Sequence, residues 1–145
     1  MKRRIIYLSV LIAGIAIAFY VYREYNRKNE DLLKAKTVFS IDAGSLISAY
    51  EQDQAVFNQK YTDKVITVKG TIKKIDADGN PVVLSLGDAN GFSSVQCSMD
   101  SSHAKMYTDI KEGQPVSLKG VVTGGRTEEM FGTDIILNRC VVEME

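Results

Sequence analysis

From Lys64 onward the apolar residues of this chain recur at every second position. This is the pattern of strands with one face inward. Ile66, Val68 and Ile72 alternate with Thr67, Lys69, Thr71 and Lys73. Asp76-Ala77-Asp78-Gly79-Asn80-Pro81 then reads as a turn, because Gly, Asn, Asp and Pro supply the backbone geometry that turns need. Val82, Leu84 and Leu86 resume the alternation, and Gly87 to Gly91 reads as a loop. Val95, Cys97 and Met99 form a third set, and Val116, Leu118 and Val122 a fourth. Gly124 to Gly132 is read as a long loop, followed by a fifth strand over Ile135 to Met144. The alternation slips between Leu137 and Cys140, which suggests a bulge. Ser101 to Ile110 reads as a short helix capped by Ser101 or Ser102.

The element order is therefore β-β-β-α-β-β. Five strands with one helix between the third and fourth is the order of the OB-fold barrel. An internal echo supports closure. Val65-Ile66-Thr67-Val68-Lys69-Gly70 is similar to Pro115-Val116-Ser117-Leu118-Lys119-Gly120. A glycine inside a strand lets it coil sharply at a barrel corner. The first and fourth strands of such a barrel pair with each other, so matching glycines there make physical sense.

Asp42 to Tyr61 precedes the strands and reads as one amphipathic helix. Leu46, Ile47, Tyr50, Phe57 and Tyr61 share a stripe at helical spacing. Asp42 suits the N-cap, where a carboxylate accepts from the free N–H groups of the first turn. Ile41 and Leu46 occupy the two positions of a hydrophobic staple. The stripe is expected to pack on its own domain.

Residues 5–22 carry no charge, and Met1-Lys2-Arg3-Arg4 stands before them. As a helix this stretch would be about 27 Å long, close to the ~30 Å apolar core of a bilayer. Tyr7, Tyr20 and Tyr22 lie near its ends, where an aromatic ring with a polar tip suits the interface. The expectation is an N-terminal transmembrane helix over 1–22, a charged tether over 23–41, and a helix plus barrel over 42–145. Basic residues flank the run on both sides, yet the short N-terminus favours a cytoplasmic start and a barrel outside the cytoplasmic (inner) membrane. Ala16-Ile17-Ala18 has the small-x-small form of a signal-peptidase site. The apolar run continues through Tyr22, however, where a cleaved protein would begin with polar residues.

Several short motifs resemble the tRNA_anti-like family of bacterial OB-fold proteins. They are Ala49-Tyr50, Lys60-Tyr61 and Lys64-Val65-Ile66-x-Val68-x-Gly70; then Val95-Gln96-Cys97; Gly113-x-x-Val116-x-Leu118-Lys119-Gly120; and Asn138-Arg139-Cys140. The resemblance spans about 42–144 and implies an OB-fold. The family name records a likeness of fold to anticodon-binding domains. Many relatives are lipoproteins or anchored envelope proteins, whereas this chain has no cysteine near its N-terminus for lipid attachment. The resemblance carries over no catalytic residue.

The residues themselves offer little chemistry. His103 is the one histidine, and no nucleophile stands at a useful spacing from it. Asp76, Asp78 and Asn80 mimic the start of a calcium loop. Pro81 then falls where the sharp turn needs glycine, and Gly87 where a bidentate glutamate is needed. No enzyme activity, cofactor or metal is expected. Cys97 and Cys140 fall on the third and fifth strands, which are neighbours in an OB barrel. In an exporting compartment they could form a disulfide; the alternative is two buried free thiols.

OB domains bind through the face of strands two and three and the loops after strands one and four. Here that points to Ser94, Gln96 and Ser98 on the face and to Arg126, Met130 and Phe131 in the later loop. Lys and Arg together equal Asp and Glu at 18 each, and from Lys64 onward there are nine basic residues against eleven acidic. The face also lacks aromatic platforms, with Phe92 and Phe131 merely nearby. Strong binding of nucleic acid, which needs a basic groove and stacking rings, is therefore not expected. A protein or small ligand is the expected partner, besides the membrane through residues 5–22. The alternatives are an oligonucleotide-binding protein or a structural subunit of an envelope complex.

Overall fold

The computed structural model describes residues 2–25 and 32–143, with side chains from Ile12 onward apart from residue 24. It forms two compact units, 1–30 and 31–145.

The first unit holds helix α1 (Lys2–Tyr25). Ile12, Ile15, Ile17, Phe19, Tyr20, Val21 and Tyr22 are all more than half exposed along it. Among the described residues no helix is long and apolar enough to cross a membrane. Part of the expected span, from Ile5 to Leu11, has side chains outside the described residues. Part of the expected tether also lies outside the described residues.

The second unit runs β1 (Phe39–Asp42), α2 (Ala43–Gln52), α3 (Gln54–Tyr61), β2 (Val65–Asp76), β3 (Val83–Leu86) and β4 (Ser94–Met99). A short 3₁₀ helix (Ser101–Met106) follows, then β5 (Pro115–Glu128) and β6 (Gly132–Val142). The strand order is β1-β2-β3-β4-β6-β5, and β2 also pairs with β5. That last pairing closes β2 through β6 into the five-stranded OB barrel expected from the pattern. β4 and β6 run parallel, while the other barrel pairs are antiparallel.

The echoed glycines lie across this closure from one another. Ile66 pairs with Gly120 and Gly70 with Val116. Each permits a close approach. A Cβ on Gly70 would meet that of Ala43 at 3.0 Å, and one on Gly120 would meet the Cys140 sulfur at 2.5 Å.

Four features differ from the sequence reading. The expected single helix over 42–61 is two helices. Asp53 between them is extended (φ −159°, ψ 101°), and its carboxylate accepts from the N–H groups of Ala55 and Val56 at 2.9 and 3.0 Å. All five expected stripe residues are nevertheless buried, and Asp42 caps α2 by accepting from Gly44 N–H at 3.0 Å. The end of the expected tether is a strand, β1, which pairs in parallel with β2 from Phe39↔Ile66 to Asp42↔Lys69. Finally, the expected loop over 124–132 is largely strand: β5 continues to Glu128 and turns tightly into Gly132. The short helix after β4 is a 3₁₀ helix capped by Asp100, not by Ser101 or Ser102. The bulge in the last strand is present. Register slips between Cys97↔Leu137 and Met99↔Cys140, and Arg139 there takes φ 57°.

Helices α2 and α3 pack on the barrel core. Phe57, at 1% exposure, meets Tyr50 edge-on at 5.1 Å and Tyr61 at 4.9 Å. Burying a ring of this size stabilises a fold by about 1.5–3 kcal/mol. The Tyr50 hydroxyl donates to the Gly125 carbonyl at 2.7 Å, fixing α2 to the far half of β5.

Candidate functional site

Strand registry defines the outer face. Leu84, Leu86, Val95 and Cys97 point inward and are buried. Their neighbours Val83, Ser85, Gln96 and Ser98 therefore face out. Ser85 pairs with Gln96, and Gln96 with Ile136. Val83 pairs with Ser98 at the end of the face next to the 76–82 turn. The face is polar and uncharged at its centre, as Gln96 and Ser98 predicted.

Ser94 does not belong to an open face. It is 6% exposed, and its hydroxyl donates to Asp134 Oδ1 at 2.7 Å. Asp134 Oδ2 meets Arg126 Nη2 at 3.5 Å, and Arg126 Nε meets Glu128 Oε1 at 3.2 Å. Arg126 is thus held between two carboxylates. Sequence reasoning placed Ser94 on the correct side of its strand. Asp134, forty residues further along, gave no local signal of the hydrogen bond that removes it.

On strand order alone, Lys69, Lys73 and Lys74 of β2 and Lys119 of β5 belong to strands away from this face. Lys74, however, pairs with Ser85 and is exposed, so it borders the outer row, with Asp76 beside Val83 in the next. The other lysines are engaged elsewhere. Lys73 Nζ donates to the Gly91 carbonyl. Lys119 is buried, meets Glu143 at 3.2 Å and donates to the Ala35 carbonyl at 3.4 Å. Burial pushes the Glu143 carboxyl up, but hydrogen bonds from Thr67 and Lys119 outweigh it and leave the group below the ordinary value.

Met130 and Phe131 are strongly exposed, at 81% and 67%, and so is Phe92, at 76%, in the β3–β4 loop. The two loops touch. The Ser93 hydroxyl oxygen accepts from Thr133 N–H at 3.0 Å, and Gly132 lies against Ser93 and Phe92 so closely that a Cβ there would stand 2.9 Å from Ser93 N. One end of the face is therefore rimmed by three large apolar side chains. A concavity of about 620 Å³ lies on the β2–β5 seam between Asp42, Lys69, Thr71, Ser117 and Glu143.

Cys97 and Cys140 are both buried free thiols. Burial pushes the Cys140 thiol well up, and its hydrogen bond with Cys97 adds to this. His103 lies on the 3₁₀ helix beside Asp100, whose carboxyl is held down chiefly by the Ser102 N–H. Among the described residues no group of three or more His, Cys, Asp or Glu could hold a metal.

A five-stranded barrel of this order, closed by the β2–β5 pairing, is an OB-fold domain. The tRNA_anti-like family model matches residues 2–141, and the chain belongs to that family. The fold is similar to that of a lipoprotein of Klebsiella pneumoniae proposed to bind nucleic acid. The identity is 12% and the TM-score 0.54, covering 72% of this chain and 91% of that one. It is also similar to an aspartyl-tRNA synthetase of Entamoeba histolytica (14% identity, TM-score 0.43, 74% of this chain and 25% of that one). A third likeness is to an OBody bound to hen egg-white lysozyme (15% identity, TM-score 0.40, 57% of this chain and 97% of that one). No curated protein matches the chain. At these identities the likeness is one of fold.

Proposed function

We propose that this protein is a membrane-held, non-enzymatic binding module whose barrel stands outside the cytoplasm and takes a protein ligand. The observation that carries the ligand class is Arg126 held between Glu128 and Asp134. An oligonucleotide site needs cations free to neutralise phosphates and rings on which bases stack. Here the face centre is Ser85, Gln96 and Ser98, Lys73 is already bonded to the Gly91 carbonyl, and Lys119 is buried on the β2–β5 seam. Lys74 beside Ser85 favours the second reading, oligonucleotide binding, but Asp76 stands two residues on, on the same side of the strand.

The anchoring part rests on α1. Its described apolar side chains are exposed at every turn, and a helix apolar all round needs an apolar surrounding. Lys2, Arg3 and Arg4 favour a cytoplasmic N-terminus. In the oxidising compartment this implies, the adjacent thiols of Cys97 and Cys140 join as a disulfide. A reporter fused after Glu145 and active solely in the cytoplasm should stay silent. Strong reporter activity would place the barrel inside and overturn the topology.

A further inference from the structure

We infer that the joined tips of the β3–β4 loop and the β5–β6 hairpin are a docking site for a cationic, apolar-anchored segment of a partner protein; this rests on the protein-ligand reading above. Among described residues 32–143 the exposed large apolar side chains are Leu33, Val38, Val56, Phe92, Met130 and Phe131. The three most exposed of these all sit on the two tips. A few isolated apolar side chains on a surface need no explanation; three gathered on two tips that touch call for one.

The tips are held in place before any partner arrives. Ser93 accepts from Thr133 N–H, Lys73 Nζ ties the Gly91 carbonyl to β2, and Gly132 seats directly on Ser93 and Phe92. Gly91 N–H donates to the Asp88 carbonyl at 3.1 Å, closing the loop on itself. A preorganised surface loses little conformational entropy on binding.

The rim is acidic. Glu128 is offset by Arg126, but Glu129 precedes Met130 and Asp88 lies in the β3–β4 loop. Glu51 Oε1 accepts from the Ser93 hydroxyl at 3.5 Å, which brings α2 to the same place. The neighbouring cations, Lys73 and Arg126, are engaged as described. An acidic rim disfavours an anionic membrane surface and a phosphate backbone. It also disfavours a second copy docked tip to tip, which would oppose two such rims. A segment with Lys or Arg flanking an apolar anchor matches both the centre and the rim.

The chain contains no tryptophan, so Phe131→Trp introduces a lone fluorescent reporter at the tip. The full chain carrying it, in detergent, would be titrated with two synthetic amphipathic peptides of the same Leu/Phe pattern, one with Lys and one with Glu at the polar positions. The Lys peptide should blue-shift the emission saturably, and the Glu peptide should bind at least about tenfold more weakly. By anisotropy of the labelled Lys peptide, Phe131→Ala and Met130→Ala should each weaken binding about tenfold, as for anchors at an interface centre. Glu129→Lys should weaken it without altering the fold. Equal binding of the two peptides, or Lys-peptide binding unchanged in Phe131→Ala, overturns the proposal. So does a blue shift produced by phosphatidylglycerol vesicles or oligothymidine alone. A silent topology reporter together with unbound Lys peptide would refute the tip site while leaving the module's placement intact.

Discussion

Gly132→Ala is expected to destabilise the barrel by roughly 2–4 kcal/mol, lowering its melting temperature by about 10 °C or more. Two effects add. Gly132 has φ +79°, the left-handed region where a Cβ strains the backbone by about 1–2 kcal/mol. The new Cβ would also stand 2.9 Å from Ser93 N and 3.0 Å from the Phe92 carbonyl carbon. Those are backbone atoms and cannot rotate away, so the β3–β4 loop must be pushed off the hairpin. Gly113 supplies the control. Its φ is +82°, but a Cβ there meets nothing within 4 Å. Gly113→Ala should therefore show the backbone strain alone, and the difference between the two variants measures the contact between the tips. Thermal melts of both would check this; equal shifts would mean that the loops are not packed as described.

Oxidation of Cys97 and Cys140 is expected to add about 4 kcal/mol of stability. The bridge would close a 43-residue loop, and on the chain-entropy model the gain comes from restricting the unfolded chain. Both thiols are buried, and the Cys140 thiol is pushed further up by Cys97, which sets the two sulfurs in one another's neighbourhood. Protein recovered from outside the cytoplasm should take up no alkylating label until reduced, and reduction should lower its denaturation midpoint in guanidinium. Two labels on unfolded, unreduced protein would show that the bridge does not form.

Much of the barrel was legible because its strands alternate cleanly and its corners carry glycine. The parts that were not legible have tertiary causes. Gln52-Asp53-Gln54 contains no glycine or proline, and Tyr50 and Phe57 keep helical spacing across it; the signs of the break are the polar Asp53 and Gln54 where the stripe needs an apolar residue and the N-cap preference of Asp53. Phe39-Ser40-Ile41-Asp42 alternates over four residues, too short a stretch to separate from a tether. Gly124-Gly125 looks like loop composition. Gly125 is bare for a different reason: the Tyr50 ring and Ile135 would stand within 2.7–2.8 Å of a Cβ there. At the site, alternation put Gln96 and Ser98 on the outer face. It could not show Asp134 capturing Ser94, nor a bulge between Ile72 and Lys74 setting Lys74 beside Ser85.

The sharpest test of the account is titration of labelled single-stranded oligonucleotides with the full chain at physiological salt, read by fluorescence anisotropy. Nucleic-acid binding draws much of its free energy from counterions released as Lys and Arg neutralise phosphates, and stacking adds roughly 1–3 kcal/mol per base. With Arg126 held by Glu128 and Asp134, and the exposed rings of Phe92 and Phe131 confined to one end of the β3–β4 face, the account predicts little change in anisotropy. Tight binding that weakens steeply as salt rises would contradict it and make the Lys74 edge of the face an oligonucleotide site.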